Sequence, residues 1–312
     1  MITVLRRAAP APFASRFWTY QRERFPLAAY LPLIVVATLC GAIYSRHARG
    51  AAGMPELAVL GIGIATVLVF FFVLRVLDEH KDAGIDRRYR PELPVPRGLI
   101  TLGELRAIGG TLLALVLLGN ALLAPPLLWI CLAIAGWAAL MTREFFVPTW
   151  LRARPGLYLL SHMVVMPLIF GYVTALDWLA AGAAPSPYLA AFLAVAFCNG
   201  LLIEVGRKIR APAEEREGVE SYSRAWGRGT ATVVWLAALL GAAASAWLAA
   251  LGTGSATLAG ALLLVLLPVA ALPALRFLRG ATPASAAHLE LASGLWTLAV
   301  YLLLGAAPLF TS

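Results

Sequence analysis

The chain has 312 residues, of which 61% are apolar and 13% charged, with 25 Lys+Arg against 16 Asp+Glu for a net charge of +9. Soluble domains average roughly 45–50% apolar and about 25% charged residues. A soluble domain of this composition could not cover its surface with polar groups, and a mean hydropathy of +0.82 excludes disordered and collagen-like chains as well.

The composition is that of an all-α, polytopic membrane protein. Cys40, Cys131 and Cys198 lie in apolar runs without CxxC spacing, which argues against a disulfide framework and a structural zinc site. No basic domain stands free of the hydrophobic runs, so the positive excess sets membrane topology and does not mark nucleic-acid binding.

Residues 1–24 carry five arginines and no small-residue cleavage site close to an apolar core, unlike a cleavable signal peptide. They read as a cytoplasmic amphipathic segment. Phe17, Trp18 and Tyr20 among Arg16, Arg22 and Arg24 suit a helix over Phe13–Phe25 lying on the inner membrane surface. Residues 25–312 read as one transmembrane domain.

A spanning helix needs ~20 mostly apolar residues, and the gaps between charges locate nine. Spans 1 and 2 fall at about 26–44 and 56–76. The run between Arg106 and Arg143 is broken at Ala124-Pro125-Pro126, giving spans at about 107–123 and 126–142. Spans 5 and 6 fall at about 156–175 and 187–205. The run from Arg228 to Arg276 holds two spans around Gly252-Thr253-Gly254-Ser255, and span 9 covers about 286–308. With nine spans, 23 of the 25 Lys+Arg fall on the side of the N-terminus and only Arg46 and Arg49 on the other. Basic residues favour the cytoplasmic face, so the N-terminus is expected inside the cell.

The acids are clustered. Six lie between Asp78 and Glu104 and five between Glu204 and Glu220, in cytoplasmic loops 77–106 and 206–228 that follow spans 2 and 6. Asp78, Asp82 and Asp86 recur every four residues, which places them on one helix face with Glu79 beside them. Stacked like charges repel unless a cation or basic groups compensate. One reading is a Mg²⁺–phosphate site, since Mg²⁺ takes carboxylates together with substrate phosphates. The other is a solvated loop whose acids pair with Lys81, Arg87, Arg88 and Arg90. Downstream, the prolines of Arg90-Pro91-Glu92-Leu93-Pro94-Val95-Pro96 predict an extended loop. Thr101 and Glu104 form a capping box that opens the next helix.

This stretch resembles the first signature of the UbiA superfamily of intramembrane prenyltransferases. The family pattern Asn-Asp-x-x-Asp-x-x-x-Asp stands here as Asp78-Glu79-x-x-Asp82-x-x-x-Asp86, led by Arg75. An Arg-Pro-x-x-Pro loop follows as Arg90-Pro91-Glu92-Leu93-Pro94, then Arg97-Gly98. Members are similar in having nine helices and acidic cytoplasmic loops after helices 2 and 6. The second signature, Asp-x-x-x-Asp, is altered: Glu204 stands for the first acid and Lys208 for the second.

The resemblance implies transfer of an isoprenyl chain from an allylic prenyl diphosphate to an unidentified lipophilic or aromatic acceptor, with Mg²⁺ as cofactor. It implies Asp78, Asp82 and Asp86 as catalytic residues. Asp78, Glu79, Asp82, Asp86 and Glu204 become candidate metal ligands. Arg75, Lys81, Arg143, Arg207, Lys208 and Arg210 become candidate diphosphate contacts, with Arg207, Lys208 and Arg210 able to replace a second metal or to meet anionic lipid. The expected place is a bacterial cytoplasmic membrane with the active face inward. His162 and Glu290 are ionisable residues in spans and therefore functional candidates, while Asn120 and Asn199 read as interhelical hydrogen-bonding residues. Phe145, Tyr158, Trp235 and other aromatics could stabilise an allylic cation. A different class remains open: a non-enzymatic transporter, permease subunit or lipid-binding scaffold of the same fold, motivated by the altered second motif.

Overall fold

The computed structural model describes residues 11–51 and 53–311, which leaves the first ten residues of the expected N-terminal segment outside. The described chain is helical throughout. Helix α1 is Phe13–Arg24, α2 Leu27–Ala48, α3 Leu57–Lys81, α4 Ala83–Tyr89, α5 Leu102–Leu123 and α6 Leu127–Thr142. Then follow α7 Pro148–Arg152, α8 Pro155–Met163, α9 Val165–Trp178, α10 Leu189–Lys208, α11 Tyr222–Trp226, α12 Arg228–Leu251, α13 Ala256–Arg279 and α14 Pro283–Ala306.

Eight of these units are long and apolar enough to cross a membrane, with α8 and α9 counted as one, and α6 is a shorter apolar helix between them. The protein is an integral, multi-pass membrane helical bundle. At 1.5 Å per residue, the 16 residues of α6 reach about 24 Å, short of a ~30 Å hydrocarbon core. The Thr101–Glu104 capping box is present, with Thr101 Oγ1 accepting from the Glu104 amide at 3.1 Å. The Pro-rich loop is not extended. It folds into successive turns closed by Arg97 N–H donating to the Leu93 carbonyl at 3.0 Å and Leu99 N–H to that of Pro94 at 2.9 Å. Here the prolines fall where no donor is needed.

The core runs between α2, α9, α10 and α14 as stacked rings. Tyr44 lies 4.6 Å from Phe192 and Phe170 4.5 Å from Tyr301, spacings of favourable aromatic pairs. Small residues allow the close approach: a Cβ at Gly305 would stand 2.6 Å from the Cys40 Cα, a contact only glycine permits. Asn120 is fully buried, donating to Thr66 Oγ1 and accepting from Tyr172 Oη, both at 2.8 Å, so it joins α5, α3 and α9 as an interhelical hydrogen-bonding residue.

Contacts between distant segments sort the loops into two ends. At one end, Tyr44 Oη donates to the Ala249 carbonyl, 3.1 Å away, and Asp177 accepts from Ser45, Arg46 and Arg49, with Arg49 Nε at 2.6 Å. The two basic residues that depart from the charge asymmetry are thus engaged by one buried carboxylate. At the other end α1 lies across α3 and α5. Arg24 meets Glu79 at 2.6 Å and Arg16 meets Glu104 at 2.7 Å, and Glu23 takes Arg97 of the Pro-rich loop at 2.7 Å. Tyr20 is buried between them, and the Phe17 ring sits 6.2 Å from that of Phe72.

Candidate functional site

The acidic row is held by a nearly unbroken helix. α3 stops at Lys81 and α4 starts at Ala83, with Asp82 at φ −90°, ψ 0° between them. The backbone ladder passes through the kink: the Asp82 amide donates to the Asp78 carbonyl at 2.9 Å, Asp86 to Asp82 at 2.8 Å and Arg90 to Asp86 at 2.8 Å. The four-residue spacing read from the sequence is therefore a real stack, but its members differ in surroundings. The Asp78 side chain is 51% exposed and its nearest cation is Arg75 at 3.8 Å. Asp82 is half-buried and makes no ion pair among the described residues. Asp86 is buried and ion-paired with Arg90 at 2.5 Å. Burial pushes the Asp82 carboxyl above the ordinary carboxylate range. The adjacent Asp86 charge pushes the same way, while Lys208, Lys81 and Arg90 pull it back.

The other two expected ligands lie elsewhere. Glu79 is 1% exposed, points off the row and is taken by Arg24. Glu204, at the end of α10, is closed by its own helix: Arg207 lies at 2.5 Å and Lys208 at 2.8 Å. It lies at the same end of the bundle as the row: the charges of Arg207 and Glu204 act on Asp78 and that of Lys208 on Asp82. The five carboxylates thus share one end of the bundle without converging, and among the described residues no three acids, histidines or cysteines form a ready metal cage. Asp78 and Asp82 remain open, two hard oxygen donors. That set fits Mg²⁺, which commonly takes one or two carboxylates and completes its shell with water and phosphate oxygens.

Two further links shape the mouth. The loops after α3 and α10 are joined where Arg216 meets Glu92 at 2.8 Å and where the Tyr89 ring lies against Gly218, at φ +71°. The Tyr222 ring stacks on Trp226 with centroids 4.6 Å apart, and Lys208 Nζ lies 5.9 Å from its centroid. Burial raises the Tyr222 hydroxyl above its usual value, so it stays protonated and can donate. Arg210 donates its backbone N–H to Ser223 Oγ at 2.7 Å. Neither its guanidinium nor the exposed Arg143 makes an ion pair among the described residues. Glu290 is exposed on α14 and joins no part of this site.

One constellation was not singled out in the sequence. Glu144 is buried and receives Arg152 at 2.9 Å and Lys81 at 3.1 Å. Burial works against its charge, but hydrogen bonds from Arg152 and Lys81 win and hold the carboxyl below its usual range. The same Lys81 ammonium reaches the Tyr158 hydroxyl and lies 3.4 Å from His162 Nε2. His162 is buried, stacks on Tyr158 at 4.0 Å and holds the Tyr158 carbonyl with Nδ1 at 2.8 Å. With Nδ1 as donor, Nε2 presents its lone pair to the ammonium, so the ring is neutral. Glu144, Phe145 and Phe146 have φ of 48°, 52° and 62°. Three consecutive non-glycine residues in the left-handed region cost about 1–3 kcal/mol each and persist only where the surroundings impose them. The signal available in the sequence was a lone acid in a basic loop, Arg143-Glu144 to Arg154, just ahead of Pro148.

No protein-family description and no curated protein matches the chain. Among solved structures it is similar to a digeranylgeranylglyceryl phosphate synthase in membranes, with a TM-score of 0.58 at 14% identity over 94% of this chain and 99% of that one. At this identity the similarity speaks for architecture. The chain therefore shares the membrane helical-bundle fold of that synthase.

Proposed function

We propose that the protein transfers an isoprenyl chain from an allylic prenyl diphosphate to a lipophilic acceptor at the mouth formed by the ends of α3 and α10. The observation that carries this reading is the pair of open carboxylates, Asp78 and Asp82, within reach of the charges of Arg207 and Lys208 in a bundle similar to that of a prenyl-transferring synthase. Asp78 and Asp82 would hold Mg²⁺, which when bound neutralises charge developing on the departing diphosphate. Asp86 adds its charge to the row from behind, anchored by Arg90. Arg75, Arg207 and Lys208 contact the diphosphate oxygens, Arg in bidentate fashion and Lys as a compact charge. Arg143 and Arg210 have no carboxylate partner among the described residues and would meet outer phosphate oxygens. Preorganised charge of this kind is usually the largest catalytic contribution. The aromatic walls near the mouth, Phe145 and Tyr158, keep water from the allylic carbon. The 23-to-2 distribution of basic residues supports a mouth facing the cytoplasm, in a bacterial cytoplasmic membrane.

The test is diphosphate release and binding by the purified protein in detergent. Farnesyl and geranylgeranyl diphosphate are supplied with and without Mg²⁺, alongside Asp82→Asn. Mg²⁺-dependent binding that falls by about tenfold or more in Asp82→Asn, a loss of ≥ ~1.4 kcal/mol, supports the reading. A second reading rests on the closure of Glu204 by Arg207 and Lys208, which leaves the second acidic loop without an open ligand at its first position. It takes the chain as a non-catalytic membrane protein of this fold that binds anionic lipid at the same cations. Mg²⁺-independent binding of anionic lipid, with no response to Asp82→Asn, would favour it.

A further inference from the structure

Four cations near the acidic row are engaged by an acid other than Asp78 or Asp82. Arg24 is on Glu79, Arg90 on Asp86, and Arg207 and Lys208 on Glu204. Arg75 approaches Asp78 only to 3.8 Å. Lys81 is the cation most able to break this pattern. It is the residue before Asp82 and stands three positions after Asp78, the spacing at which helix side chains meet. A flexible four-carbon stem carries its ammonium. Left to itself it would lie on the row and neutralise it. Instead its Nζ is 3.1 Å from Glu144 Oε1, with Tyr158 Oη and His162 Nε2 completing its contacts.

Glu144 reaches that position only because the chain takes the left-handed conformation at three successive residues. Arg152 fixes the carboxylate from the other side with Nε 3.0 Å from Oε1 and 2.9 Å from Oε2. Glu144 lies in the short turn between α6 and α7, which packs on both. What the acid does is turn Lys81 outward from the row.

We propose that Glu144 is a positioning residue that withdraws Lys81 from Asp78 and Asp82 and so keeps those two carboxylates open to a divalent cation. The inference rests on the reading of Asp78 and Asp82 as the metal-binding pair, and it adds a role for a residue outside both acidic loops. In this arrangement the strained turn 144–146 acts on the metal through one lysine. The charge on Lys81 is a liability for the row, not a contribution to it.

The experiment titrates Mn²⁺ into the purified full-length protein and follows the free-ion electron spin resonance signal, with no substrate present. Folding of each variant is checked by thermal unfolding in the same detergent. Wild type is expected to bind, and Asp82→Asn to lose binding. Glu144→Gln is expected to weaken Mn²⁺ by about tenfold, as one ammonium freed onto a surface carboxylate pair would. The double variant Glu144→Gln/Lys81→Met is expected to return to within about threefold of wild type, since the misplaced charge is gone. A purely structural role for Glu144 would not produce that recovery. Unchanged Mn²⁺ affinity in Glu144→Gln overturns the proposal, as does a double variant that stays weak, while leaving the metal reading intact so long as Asp82→Asn still fails to bind. Absence of Mn²⁺ binding in wild type overturns both.

Discussion

Glu92 and Arg216, 124 residues apart in sequence, meet at 2.8 Å across the mouth of the bundle. The pair joins the loop after α3 to the loop after α10, so the two acidic segments form one rim. Both side chains are mostly exposed, and an exposed pair contributes about 0.2–1 kcal/mol at most. Glu92→Ala should therefore leave thermal stability nearly unchanged. The tighter link is at Gly218, where a Cβ would stand 2.3 Å from the Tyr89 ring at a φ of +71°. Gly218→Ala should destabilise by roughly 1–3 kcal/mol, the cost of a non-glycine residue forced into that conformation. It should also weaken prenyl diphosphate binding. Thermal unfolding and ligand titration on both variants check this; equal behaviour would mean the rim is not held by Tyr89.

Arg24 offers a sharper case. Its partner Glu79 is buried, so Arg24→Ala strands a carboxylate away from water. Removing one member of a buried pair typically costs about 3–5 kcal/mol. Because Arg24 is itself partly exposed, the lower end applies. Glu79→Gln combined with Arg24→Ala should recover part of the loss. Unfolding midpoints of the two single variants and the double variant measure it.

At the opposite end, Arg49→Ala should destabilise by about 1.5–3 kcal/mol, the worth of hydrogen bonds to a charged group, since the fully buried Asp177 carboxylate keeps Ser45 and Arg46. Here Mg²⁺ and prenyl diphosphate binding should not change. A coupled loss of binding would contradict the separation of the two ends.

The pH dependence of stability follows from Glu144. Its carboxyl is held below the ordinary range in the folded protein, while in the unfolded chain it titrates near the usual value of about 4.3. Between the two, the unfolded state binds more protons, so stability rises with pH through this window. The contribution is fully present above the unfolded value and is lost as pH falls through the depressed one. Glu144→Gln should be less stable than wild type at pH 7 by about 1.5–3 kcal/mol, a charged hydrogen bond's worth. The gap should close as pH falls below about 4. Unfolding midpoints across pH 3–8 would reveal it, and a gap that persists in acid would mean the loss comes from packing.

The bundle was legible because its signals are one-dimensional. Apolar run length and the confinement of Lys and Arg to alternate loops fix where helices cross and which loops share an end. Arg46 and Arg49 look like noise in that pattern until Asp177, 128 residues beyond Arg49, is seen to hold them. The acidic row was legible for the same reason, since i,i+4 spacing is a property of one helix. Which of its acids are open was not. That depends on Arg24, on Arg90 and on the cations following Glu204, partners chosen by tertiary approach and by side-chain reach. Glu79 and Asp78 are neighbours in sequence, yet one is buried on α1 and the other faces the mouth. Glu144 was invisible because its role needs a left-handed backbone that no local residue preference announces. The Pro-rich loop was misread because proline excludes donors without excluding turns.

Helix α1 also fixes an order of events. It is made before its partners, which lie 55 residues later at Glu79, 74 at Arg97 and 88 at Glu104. During synthesis it must wait, with Tyr20 not yet covered, until α3 and α5 have both been inserted with the same ends facing it. Its docking is then a single readout of whether the first half of the bundle entered the membrane in the right orientation.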